Sequence, residues 1–499
     1  VKNYLKLESK IERIFLLNNS TNILYWDLIT NIPKNSINSR RKEIKILTSL
    51  AHELLVSKEV EKLINGAENE ARDLDIWQKT NLELIKQRRL EAICVESSVH
   101  EEFIEAVFES ENIWKKAKLQ NDYNSLLPYL DKVLGYTKRI AEVKAKAFNT
   151  TPYQALCMKY LPTMDIREVS SAFSRLKQEL PKIIIEIKKT QLIESILPAN
   201  LKVGLNEQRK FCSTIMEKLG FDFSVGRIDQ GPHPFCGGAP NDIRILTRYD
   251  ENNILNSIMS VAHECGHALY ELNLPKCYLN QPVGKAKGMV IHESQALFLE
   301  MMVVRTKGFM EFLSEQLYNE FGFKGDEYHP DNLYKIVTHL KPNPIRIDSD
   351  EATYTLHVIL RYEIEQALLG DHLKLKDLPA YWNGLMESYL GVKVVNDREG
   401  CLQDIHWPKG LFGYFPAYTI GGVYASMLHK TFKENFPNHN SWTIHNLADR
   451  YNIFLNENIR NFGSLKPVKE LINDATGSNM ICVDTYMEYI RSKYLVKSS

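Results

Sequence analysis

Residues 253–272 read NILNSIMSVAHECGHALYEL. The stretch contains no Pro, and its one Gly is Gly266. Ile254, Ile258, Val261, Cys265, Ala268, Leu269 and Leu272 recur at helical spacing, which predicts a helix with one buried face. On that helix His263, Glu264 and His267 form an HExxH signature. Residues four apart share a helix face, so the two imidazoles can converge on one metal ion. Glu264 can sit beside the ion without binding it and take a proton from an activated water. A Gly inside a helix costs about 1 kcal/mol relative to Ala. Gly266 therefore marks a close approach, either beside the metal or by a neighbouring helix.

A catalytic zinc needs a third protein ligand and one open position. IHESQALFLE (291–300) reads as a second helix, with Ile291, Leu297, Phe298 and Met301 on its apolar side. Glu293 on this helix would complete a His-His-Glu site, with His292 as a hydrogen-bonding neighbour. Upstream, GPHPFCGGAP (231–240) is a loop by composition. Residues 241–249 alternate Ile243, Ile245, Thr247 and Tyr249 with Arg244, Leu246 and Arg248, which predicts a short strand. Placed at a sheet edge before the metal helix, that strand could hold an extended peptide by main-chain hydrogen bonds.

The chemistry indicated is peptide hydrolysis. A tetrahedral intermediate carries an oxyanion and needs a donor beyond the metal. QDIHWPKGLFGYFPAY (403–418) offers such groups in a loop rich in aromatics, Gly and Pro. By analogy with helical zincins, His406 and Tyr414 are the catalytic candidates here. Tyr418 is a candidate substrate contact, and His233 a weaker one.

The remainder of the 499 residues reads as mostly helical. No Pro and one Gly, Gly66, occur between Lys34 and Leu127, and Asn65-Gly66 reads as a helix stop. Residues 76–109 and 163–196 are helix-like, with Pro181 expected to break or kink the second. One large domain over 1–499 is expected, with a helical half at 1–200 and a catalytic half at 201–499. Sixty-two basic and 62 acidic residues cancel, which offers no basic excess for nucleic acid or acidic membrane. Arg40, Arg41 and Lys42, followed by Glu43, read as a solvated helix face. No apolar run approaches the roughly 20 residues that cross a bilayer. The first 20 residues are charged and lack the apolar core of a signal peptide. Eight scattered Cys form no CxxC pair and suit a reducing compartment. A cytoplasmic location is the resulting expectation.

HECGH followed by HES at Glu293 resembles the carboxypeptidase Taq family (M32) of zinc metallocarboxypeptidases. Other family motifs have counterparts in the same order. His233-Pro-Phe235 is similar to HPF, Asp242-Ile-Arg244 to the start of DxRxT, and residues 345–350 to IRxxAD. Residues 400–407 are similar to GxxQDxHW, and Trp26-Asp27 with Thr30 and Pro33 to the N-terminal tryptophan-aspartate segment. Leu246 stands at the DxRxT threonine and Ser349 at the IRxxAD alanine. The resemblance implies an all-α helical zincin (gluzincin) fold with a small strand element and a deep groove. It further implies a homodimer, peptide substrates and Zn2+, which Co2+ or Mn2+ could replace. An exopeptidase must also bind a free carboxylate, for which a planar guanidinium is suited. Arg346, in the IRxxAD-like motif, is the first choice and Arg244 the second, with Asp350 and Glu351 close enough in sequence to orient Arg346 or the zinc ligands. The competing readings are a helical zinc oligopeptidase and a zinc-binding scaffold without turnover; a scaffold has no need of Glu264.

Overall fold

The protein is described by a computed structural model, which covers residues 1–231 and 234–495. It is an all-α body with one small sheet. The first helix, Lys2–Thr30, buries Tyr4, Leu7, Ile11, Ile14 and Phe15. These pack with Val60, Ile64, Leu82 and Ile85 into a separate N-terminal core. The larger core runs from Ala106 to Tyr494 and encloses the motif helix. Among the described residues, no helix is long and apolar enough to cross a membrane. All eight cysteines are free.

Three local expectations are corrected. Helix Lys58–Asn69 runs through Asn65-Gly66 and ends beyond it. A Cβ on Gly66 would stand 2.7 Å from the Asn3 side chain, so this glycine admits the start of the first helix instead of stopping its own. Residues 76–109 divide into Ile76–Ile93 and part of Ser97–Gln120. Helix Ile166–Gln191 passes through Pro181 without a break. An interior Pro costs about 3 kcal/mol, and each fully buried Leu or Ile contributes about 1.5–3 kcal/mol. Leu176, Leu180, Ile183 and Ile187 flank the proline and are buried, so core burial outweighs the lost hydrogen bond. Arg40 also differs from a wholly solvated residue, since it binds Asp27 and Glu43.

The sheet has strand order β1-β3-β2: β1 is Gly226–Gln230, β2 Phe235–Ala239 and β3 Asp242–Thr247. β3 is the predicted strand, but it is central. It pairs parallel with β1 and antiparallel with β2, so its main chain is not an open edge. The correction arises because half of the predicted loop is itself a strand. Gly237 and Gly238 argue against a strand locally, yet tertiary packing requires them. A Cβ on Gly237 would meet the Trp26 ring at 3.3 Å, and Gly238 (φ +102°) would bring one to 2.1 Å from the Asp242 carbonyl. Trp26 packs on Phe235 with centroids 5.0 Å apart and donates from Nε1 to Asp229 at 2.7 Å. The tryptophan-aspartate segment thus anchors the first helix to the sheet.

Helix Ile254–Leu272 follows the sheet and carries the HExxH motif. Gly266 faces the next long helix, Gly288–Leu297, where a Cβ would come within 2.6 Å of Ala296 Cα. Its use is therefore helix-to-helix contact. On the other side, Gly421 of helix Pro416–Asn435 leaves room for Glu293, whose Cβ would be 2.8 Å from an added Cβ. Two glycines thus wedge the Glu293 helix between its neighbours. That helix continues as a π-helical turn, Phe298–Val304.

Candidate metal and active site

His263, Glu264 and His267 project from one face of the motif helix toward Glu293. His263 Nε2 lies 3.9 Å from Glu293 Oε1, and His267 Nε2 lies 3.6 Å from Glu293 Oε2. One ligand atom from each of the three residues falls within 4.8 Å of the others. These spacings approach what shared ligation of one ion requires, and the donors, two imidazoles and a carboxylate, suit a catalytic zinc site.

Each imidazole is fixed through its other nitrogen, as metal-binding histidines usually are. His263 Nδ1 is 3.0 Å from Glu300 Oε2, and Arg305 donates to Glu300 Oε1 at 2.8 Å. His267 Nδ1 meets His292 Nδ1 at 2.6 Å, and His292 Nε2 meets Glu271 Oε1 at 2.8 Å. Both Nε2 atoms are left for the site. His292 is a neighbour to a ligand, as expected.

Burial disfavours charge on His263, but Glu293 and Glu300 outweigh it and push the imidazolium up to about 10. The pocket therefore favours a positive charge where an ion would sit. Burial pushes Glu264 up to about 7, and its buried Oε2 has no hydrogen-bond partner among the described residues. Burial opposes the ionised form of Glu300, but Arg305 and His263 hold it down at about 2. A metal fits this donor set and its electrostatics.

Near Glu293 the aromatic residues of segment 403–418 cluster with Arg346 and Arg361, which come from elsewhere in the chain. His406 Nε2 is 3.2 Å from the Tyr418 hydroxyl. The Tyr414 and Tyr418 rings lie 5.1 Å apart, and the Arg346 guanidinium sits 5.0 Å over Tyr418. Burial, then the charge of Glu293, raises the Tyr414 hydroxyl. Burial pushes His406 down to about 3, so the imidazole is neutral near pH 7. Tyr418 lies in the first turn of helix Pro416–Asn435, beyond the loop proper.

Arg346 is buried. It donates from Nε and Nη2 to Asp404 Oδ1 at 3.2 and 2.9 Å and from Nη1 to the Tyr354 hydroxyl at 2.8 Å. A guanidinium carries five N–H donors, so one remains on each terminal nitrogen. Arg361 reaches Asp404 Oδ2 at 2.6 Å and Gln403 Oε1 at 2.7 Å. Asp404 therefore bridges two arginines, which hold its carboxyl far below the usual range against the effect of burial.

This corrects the expectation for Asp350 and Glu351. Asp350 caps helix Glu351–Leu369 by accepting from Thr353 N at 2.9 Å. Glu351 pairs with Lys493 at 2.6 Å. Neither orients Arg346; Asp404 does. Arg244 gives Nε and Nη2 to Asp242, at 2.8 and 2.6 Å, within the sheet. It belongs to the Trp26–Asp229 region and not to the Arg346 cluster. His233 lies outside the described residues. Leu246 is buried in β3, and Ser349 donates to the Arg346 carbonyl at 2.7 Å. The reading of the sequence missed Glu300, Glu271, Asp404 and Arg361 as supports. Two signals were present: Glu300 lies seven residues from Glu293, on the same face of a helix, and Asp404 sits inside the QDIHW segment.

Residues 6–494 match the family model described as carboxypeptidase Taq (M32) metallopeptidase. The chain belongs to this family. M32 members are metallocarboxypeptidases, so the chain is a peptide hydrolase. Carboxypeptidase 1 of Bacillus subtilis (strain 168) is 29% identical over 491 residues, covering 97% of this chain and 96% of the relative. Thermostable carboxypeptidase 1 of Pyrococcus furiosus is 31% identical over 494 residues, covering 98% and 97%. The solved structure of Trypanosoma cruzi metallocarboxypeptidase 1 superposes with a TM-score of 0.95 at 31% identity, covering 99% of each chain. In this chain the HExxH helix and helix Pro416–Asn435, which begins within segment 403–418, both pack against the Glu293 helix.

Proposed function

We propose that this M32 chain is a zinc-dependent carboxypeptidase that removes C-terminal residues from peptides with broad specificity. The observation that carries the reading is the convergence of His263, His267 and Glu293 beside the buried Glu264 carboxylate. His263, His267 and Glu293 would hold the ion, zinc by preference, with Co2+ or Mn2+ as substitutes. A bound ion supplies Lewis acidity, which lowers the pKa of a water and polarises a peptide carbonyl. Glu264 accepts the proton of the attacking water and delivers it to the leaving amine. Its raised pKa suits an exchange of protons near neutral pH. His406 and Tyr414 donate to the developing oxyanion, with Tyr418 holding His406 and contacting substrate. Arg346 receives the terminal carboxylate through its two remaining N–H groups. Arg244 acts from the sheet on the rest of the peptide, and His233 is a further substrate contact.

Residues 1–499 act as one catalytic domain, with 1–200 and 201–499 as its halves. Homodimerisation and a cytoplasmic location complete the proposal; eight free thiols suit a reducing compartment. Mass spectrometry of an N-terminally blocked peptide, incubated with zinc-loaded protein, tests the direction of attack. A ladder of C-terminal losses supports the reading, and internal fragments would replace it with an oligopeptidase. Light scattering of the purified chain tests the dimer.

A further inference from the structure

Glu365 is fully buried in helix Glu351–Leu369. Its oxygens accept three hydrogen bonds. Trp407 Nε1 donates to Oε1 at 3.0 Å, while Gly413 N and the Tyr153 hydroxyl donate to Oε2 at 2.9 and 2.8 Å. All three donors are neutral. Among the described residues no cation pairs with this carboxylate. A buried charge without a counter-ion is costly, so its retention in a core helix needs a reason.

The identity of the donors supplies one. Trp407 adjoins His406, and Gly413 adjoins Tyr414. One carboxylate thus grips the loop at the two residues beside the proposed oxyanion donors. Gly413 shows that close approach is built in. Its φ is +80°, and a Cβ there would stand 3.0 Å from the backbone of Leu156 and Cys157, in the helix that carries Tyr153. We propose that Glu365 is a positioning residue, which sets segment 406–414 so that His406 and Tyr414 meet the transition state. This rests on the roles given above to those two residues. The carboxylate form makes all three bonds, because both oxygens must accept. Burial pushes Glu365 up to about 7 against the three donors. The titratable groups facing it are Tyr153, Cys157 and Tyr160, each raised first by burial and then by its charge.

Glu365→Gln keeps the shape but turns an NH2 toward a donor. On the zinc-loaded full chain, kcat is expected to fall roughly 10- to 100-fold, with KM and bound zinc unchanged. In a His406→Gln/Tyr414→Phe background the same substitution should cost less than about 2-fold, since the loop then has nothing left to position. An unchanged kcat in the single variant, or full multiplication of effects in the triple variant, would overturn the positioning role while leaving the roles of His406 and Tyr414 intact. If the His406→Gln/Tyr414→Phe pair itself kept full kcat, those roles would fall, and the inference with them. Should Glu365→Gln fail to fold, Tyr153→Phe removes one of the three bonds. It should lower kcat by roughly 2- to 5-fold, and only when His406 and Tyr414 are present; no effect would overturn the proposal.

Discussion

His263, Glu264 and His267 take their relative positions from little more than one turn of a single helix. His406, Tyr414 and Tyr418 depend on residues from distant parts of the chain: Arg346 lies over the Tyr418 ring, Arg346 and Arg361 hold Asp404 two residues before His406, and Glu365 accepts from Trp407 and Gly413, the neighbours of His406 and Tyr414. The metal side is specified locally and then tightened by Gly266 and Gly421. The proposed substrate side is an irregular segment held through the carboxylates of Asp404 and Glu365. Polar groups on a helix inherit their geometry from the backbone hydrogen bonds. Polar groups on a loop need partners from elsewhere, and those partners must be buried to be strong.

The comparison breaks most sharply at Glu293. Glu293→Gln should abolish zinc binding and activity together, while circular dichroism and the chelated protein's melting temperature stay near wild type. A collapse of helicity would show that the ligand helices are not held by packing alone. On the loop side, Asp404→Asn leaves two buried arginines short of their counter-charge. Breaking such a buried pair costs about 3–5 kcal/mol. Urea unfolding should register that loss and kcat should fall with it, yet zinc stoichiometry should remain one per chain.

A smaller effect is expected at Glu300, which holds His263 from behind. Glu300→Gln should weaken zinc affinity by about 10- to 100-fold, measured by competition with a chelator, with kcat largely restored at saturating zinc. A more gradual effect is expected in the pH dependence of stability. The folded pKa of Glu365 is raised, so the folded state keeps its proton where the unfolded chain has lost it. Its contribution therefore falls as pH rises from about 4.5 toward about 7. Melting temperature against pH over that window should decline less steeply in Glu365→Gln than in wild type. An identical slope would mean that the carboxylate titrates normally.

The same contrast explains what could be read from sequence. The motif helix, the helix of Glu293 and the helical bulk were legible, because burial repeats every three to four residues along them. β2 was not, because Gly237 and Gly238 answer to the Trp26 ring and to β3 rather than to strand propensity. Without β2, β3 reads as an edge. Pro181 reads as a break for a related reason, since the apolar residues around it decide the helix. Within the site, the proposed ligands His263 and His267 are readable from their spacing. The orientation of Arg346 is not, because Asp404 lies 58 residues further along the chain. Asp350 was nearer in sequence but is used as a helix cap.

In the proposed mechanism Glu264 moves the proton while His263, His267 and Glu293 hold the metal. It is tested most directly by measuring kcat and bound zinc together for Glu264→Gln. One zinc per chain and a kcat lowered by about 10²- to 10⁴-fold are expected. Wild-type turnover in the zinc-loaded variant would contradict it.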